Sequence, residues 1–213
     1  MARGLLGTTL ALLVLLGAQA TAALPQGYQV RRWHNLSCRL DREMLPWKLY
    51  SGVPDFHPVF LHGIRSWNNA GHMQSYPDLF APVPTAAEAD LVIDWNGRGL
   101  PADKAGAVWW GDGCRVLGLS MEPNRGIPAG NLAQIFMQEL GHVLGLGDST
   151  SPGDIMYPVM HRRRYAEVTS AVLSDRDRAA FTWLYNQAEF HPIRPPQDRP
   201  VPMVTPVPEE SSD

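Results

Sequence analysis

Between positions 138 and 148 the chain reads Gln-Glu-Leu-Gly-His-Val-Leu-Gly-Leu-Gly-Asp, and Met156 follows within Asp-Ile-Met-Tyr-Pro. No other stretch so narrows the folds open to this chain. Side chains four apart lie on one face of a helix, so Gln138 and His142 can converge on one point. Glu139 sits one step round that helix, within reach of whatever occupies the point without having to touch it. Gly145 tolerates positive φ, which lets the helix end and the chain turn back. Asp148 then arrives from a different direction. Two side chains from one helix and a third beyond a glycine turn form a three-point ligand set. Zinc accepts imidazole nitrogen and carboxylate oxygen, and a catalytic zinc keeps one position open. In this set the neutral amide of Gln138 is a poorer donor than an imidazole.

The rest of the chain supplies a domain around that helix. Its 213 residues suffice for one domain with extra ends, and 45% hydrophobic content allows a packed core. A formal charge of −3 with no basic stripe gives no support to nucleic-acid binding. At the N-terminus Arg3 precedes an apolar run, Leu5 to Leu16, and then the small residues Ala18-Gln19-Ala20 and Thr21-Ala22-Ala23. This is the layout of a secretory signal peptide over residues 1–23, and the apolar run is short for a membrane span. The mature chain is therefore expected to be secreted, extracellular or periplasmic, without a membrane span.

An oxidising compartment changes how the two cysteines are read. Cys38 and Cys114 are expected to form one disulfide, worth roughly 4 kcal/mol in the chain-entropy model. The alternative is a free thiolate acting as an inhibitory metal ligand.

Residues 24–43 read as a short, polar, irregular N-terminal segment, and 44–190 as the folded domain. A first strand is expected near 45–50. A helix follows over 55–69, with Phe56, Phe60, Ile64 and Trp67 forming one apolar stripe. Residues 70–88 look like a loop. Strands are expected over 90–95, 105–110 and 115–121, with a turn at Gly111-Asp112-Gly113. A helix from about 132 to 144 carries Gln138, Glu139 and His142. Ser174-Asp175-Arg176-Asp177 is a capping box for a last helix. From 191 to 213 the composition turns Pro-rich and polar, which suggests a disordered or extended tail.

The order strand, helix, strands, ligand-bearing helix, Met156 turn and final helix resembles the matrixin branch of the metzincin zinc proteases, over roughly residues 44 to 188. Their pattern is H-E-x-x-H-x-x-G-x-x-H followed by a Met-turn. Glu139, His142, Gly145 and Met156 match it, whereas Gln138 and Asp148 stand where histidines are usual. Asp90 to Trp95, Asp154 to Pro158 and Leu173 to Asp177 are similar to segments of the same family. The resemblance implies an α+β, metzincin-like fold with a twisted mixed sheet and about three helices. It also implies one catalytic zinc on Gln138, His142 and Asp148, Glu139 as general base, and Pro158, Val159 and Met160 as a substrate-pocket wall. Calcium sites of the family are not legible here. A His-x-Asp structural zinc pattern is absent, and His57, His62 and His72 read as ordinary surface or core histidines. His161 could in principle replace the missing ligand.

Two functions stay open on these residues. One is a monomeric, secreted endopeptidase that holds an extended peptide along an edge strand at 115–121 and hydrolyses it with zinc-activated water. The other is a pseudoprotease that binds extended peptide in the same cleft without cutting it.

Overall fold

The computed structural model describes residues 23–123, 127–158 and 171–196. The expected signal segment up to residue 22, the expected pocket-wall residues Val159 and Met160, His161 and the residues beyond 196, where a tail is expected, lie outside the described residues. The described chain is α+β, with three α-helices and a mixed five-stranded sheet.

The main sheet has five strands: β4 (Trp47–Tyr50), β5 (Phe80–Pro82), β6 (Leu91–Asp94), β7 (Gly106–Trp110) and β8 (Val116–Met121). Their spatial order is β5-β4-β6-β8-β7. The first four run parallel and β7 is antiparallel to β8. This corrects one expectation: the edge strand beside the ligand helix is β7. Residues 116–121 form an interior strand between β6 and β7. Both arms of this hairpin carry strand-like residues, and only the pairing of β8 with β6 decides which arm is enclosed.

Helix α1 (His57–His72) buries Phe60, Ile64 and Trp67, as their spacing dictates, while Phe56 falls in a 3-10 turn just before it. It packs on α2 (Ala129–Val143) through Phe60 against Phe136, and the Trp67 indole N–H donates to the Met137 carbonyl at 2.8 Å. The stretch 70–88 is not all loop. The Asn68 side chain accepts from the backbone N–H groups of Leu79 and Phe80, both at 3.0 Å, and so holds β5 against the helix.

The N-terminal segment is also more ordered than its polar composition suggests. It forms β1 (Tyr28–Val30), β2 (Arg32–Trp33) and β3 (Leu36–Arg39). β2 and β3 form a local antiparallel pair, and the other partners are far away in sequence: β1 pairs antiparallel with β9 (Leu146–Ser149), and β3 pairs parallel with β10 (Phe190–Pro192). Residues 191 and 192, expected to lie in a disordered or extended tail, instead fill a sheet position that no local pattern announces. Cys38 and Cys114 form a disulfide with Cα atoms 5.7 Å apart, and both are fully buried. The last helix, α3 (Asp175–Tyr185), opens on the anticipated capping box: the Ser174 hydroxyl accepts from the Asp177 N–H at 3.0 Å, and the Ser174 N–H donates to the Asp177 carboxylate at 2.7 Å. No described helix is long and apolar enough to cross a membrane.

Candidate active site

The C-terminal half of α2 lies beneath the inner side of β7, and a cleft of about 280 Å³ opens between them. Gln138, Glu139, His142, Asp148 and Pro158 all line it. Helix α2 can present these polar groups because its other faces are apolar: Phe136, Met137, Leu140 and Val143 are fully buried. At its end Gly145 adopts φ +98°, and a Cβ there would collide with the Cys38 carbonyl oxygen. That turn delivers β9, and with it Asp148, back to the helix.

The three expected ligand side chains converge. An Asp148 carboxylate oxygen lies 3.6 Å from His142 Nε2 and 3.5 Å from the Gln138 amide nitrogen. His142 Nδ1 is 2.9 Å from the Leu146 carbonyl oxygen. A carbonyl can only accept, so Nδ1 donates to it, and Nε2 is the ring nitrogen directed at Asp148. Histidines that bind metals are oriented in this way by a hydrogen bond from the other ring nitrogen.

Glu139 is buried, and one of its carboxylate oxygens has no hydrogen-bond partner. Burial pushes its pKa up. The nearby His142, Lys104 and a hydrogen bond from the Val108 backbone oppose that shift only in part. A buried carboxylate with an unused oxygen is costly, and such groups concentrate at functional sites. Beneath it, Met156 is fully buried against α2. A Cβ on Gly141 would stand 2.3 Å from the Met156 sulfur, so only glycine allows the turn to seat there.

Of the expected pocket wall, Pro158 borders the cleft. Sequence reasoning missed Lys104, Val108 and Trp110, which line the opposite wall. They carry no motif, and the signal that could have found them is the identity of the edge strand, which is not local. Two histidines are accounted for elsewhere: His62 Nε2 lies 2.7 Å from the Ala171 carbonyl, and His72 pairs with Asp78 at 2.9 Å.

Among the described residues no three His, Cys, Asp or Glu side chains are grouped to hold a metal. The amide of Gln138 has to complete any such set. Two of its donor separations suit zinc. Bonds of 2.0–2.2 Å to a tetrahedral ion separate neighbouring donors by about 3.3–3.6 Å, and the two separations here are 3.5 and 3.6 Å. A half-turn of the Gln138 amide places its oxygen where its nitrogen now lies.

Fold and cleft together define a zincin-type peptidase domain, with a buried glutamate on the helix that floors the cleft and a methionine packed below that helix. The matrixin family model, a family of peptidases, matches residues 66–186. That is more than half of the chain, and the protein belongs to the matrixin family. No curated protein matches the chain.

Proposed function

We propose that this protein is a secreted, zinc-dependent peptidase in which Glu139 is the general base. The observation that carries this reading is the pair of donor separations around Asp148, 3.5 and 3.6 Å, next to a buried glutamate oxygen without a partner. The buried disulfide supports an oxidising compartment.

His142, Asp148 and Gln138 would hold the zinc, which supplies Lewis acidity when bound. A substrate peptide in extended form pairs with the open edge of β7, which sets its scissile bond over α2. Glu139 takes a proton from the attacking water and returns it to the leaving nitrogen. Its raised pKa brings it closer to neutrality, where a general base works best. The Leu146 carbonyl keeps His142 in one tautomer throughout. Pro158 borders the space for the side chain that follows the scissile bond.

One observation favours binding without cleavage: the Gln138 amide N–H is directed at Asp148. Zinc content by elemental analysis, together with cleavage of a peptide library in the presence and absence of chelator, tests the two readings. Stoichiometric zinc and chelator-sensitive cleavage are the expected results. Gln138→His should then tighten zinc binding by about two to three decades. Zinc and cleavage only after that change would overturn the enzyme reading and leave a peptide-binding pseudoprotease.

A further inference from the structure

The edge that β7 offers to a peptide is short. At both ends of β7 the backbone is turned toward β8, at Ala105 and at Gly111. In an antiparallel strand the N–H and C=O of one residue point the same way and alternate along the chain. Gly106, Val108 and Trp110 therefore face outward, and Ala107 and Trp109 face β8; the register shifts between Trp109 and Trp110, and the Gly111 bond keeps the orientation beyond it. The flanking bonds agree: the Glu122 N–H donates to the Ala105 carbonyl and the Gly111 N–H to the Arg115 carbonyl, both at 2.9 Å. The rungs open to a peptide are therefore Gly106, Val108 and Trp110.

Beyond Trp110 the edge ends. The chain folds into the β7–β8 turn, where Gly113 and Cys114 have φ of 65° and 60°, and Cys114 is tied to Cys38. The N-terminal segment crosses at the same place. The Arg31 backbone N–H donates to the Gly145 carbonyl at 2.8 Å, at the foot of β9. Its guanidinium lies 5.0 Å from the centre of the Trp110 ring. One residue thus spans from the strand that carries Asp148 to the last rung of the edge strand. The wall of the cleft stops at Trp110 on this side, while at the other end it runs on to the exposed Asp103.

We propose that Arg31 and the disulfide-tied turn close the Trp110 end of the cleft, so that the protein takes peptides by their N-terminus. This rests on the peptidase reading above. A peptide pairing antiparallel to β7 puts its N-terminal end at Trp110, with room for about two residues before the bond that faces Glu139. Hydrolysis adds the water hydroxyl to the carbonyl carbon of that bond and the proton to the departing nitrogen. It releases an N-terminal fragment of about two residues, the outcome of an exopeptidase.

The test uses the full-length, zinc-loaded protein. Glu139→Gln is titrated with alanine-rich peptides that carry one to six residues before a fixed Ala-Leu bond. Affinity should rise roughly tenfold on adding the second residue, the worth of one rung, and then level off. A continued rise through the fourth and fifth residues would overturn the closed end. With the unsubstituted protein, mass spectrometry should find short N-terminal fragments, and Arg31→Ala should lengthen them. Predominant cleavage far inside long peptides would likewise overturn the proposal. A length plateau without any hydrolysis would overturn the peptidase reading and leave the closed end standing. Failure to bind a peptide of any length would overturn both.

Discussion

Two carboxylates are buried within the same subdomain and are treated in opposite ways. Asp177 is inaccessible to solvent, and its oxygens accept from the N–H groups of Ile155 at 2.9 Å, Met156 at 3.3 Å and Ser174 at 2.7 Å, and from the Tyr28 hydroxyl. Glu139 is almost as buried, yet one of its oxygens meets nothing. A charge fully provided with donors holds structure together: Asp177 joins the N-terminal strand, the methionine turn and the cap of α3. A charge left partly unprovided stores free energy that a reaction can use. The neighbouring Asp154 belongs with Asp177, since it accepts from the Ser174 hydroxyl at 2.8 Å and from Arg176 at 3.1 Å.

Substituting Asp177 should break this comparison most visibly. Asp177→Ala orphans several buried donors at once and should cost about 3–5 kcal/mol of stability, measured by urea unfolding. A loss below 1 kcal/mol would mean that the hub is not structural.

Glu139→Gln should do the reverse. Hydrolysis should fall by about 10²–10⁴-fold, while stability changes little or rises. The pH dependence sharpens the point in chelator-treated protein. The folded-state pKa of Glu139 is raised above its ordinary 4.5, so the folded state holds the proton more tightly than the unfolded state. Its contribution is complete below that value and is lost as pH rises from about 4.5 through the folded-state pKa. Glu139→Gln should remove that decline, and melting curves across acid to neutral pH would reveal a persistent slope if the reading is wrong.

Gly141→Ala probes the plane between the two regions. Its Cβ would stand 2.3 Å from the Met156 sulfur and 2.9 Å from the Trp67 ring, so the turn has to lift from α2. Overpacking of this kind costs about 1–3 kcal/mol. Zinc affinity should fall with it, and unchanged affinity would show that the turn does not position the site.

Tyr28→Phe is the mildest change. It removes one donor from Asp177 and leaves three backbone donors in place, for a loss of about 0.5–1.5 kcal/mol with activity intact. A collapse in activity would instead tie the N-terminal strand directly to catalysis.

The sequence alone determined whatever depends on short spacing. The register of Gln138, Glu139 and His142 on one helix, the turn at Gly145, the stripe of α1 and the capping box at Ser174 each follow from geometry repeating within a few residues. Tertiary structure decided the rest. Which arm of the β7–β8 hairpin forms the edge depends on β6, and the strands at 28–30, 36–39, 146–149 and 190–192 are paired by segments distant in the chain. The placement of Asp148 within 3.6 Å of His142 required β1 to hold β9 in position. The wall at Trp110 required Arg31 to cross from one strand to another. Helix periodicity is written along the chain, whereas the pairing of strands and the meeting of side chains from separate segments depend on which buried donors and acceptors find each other once the core has formed.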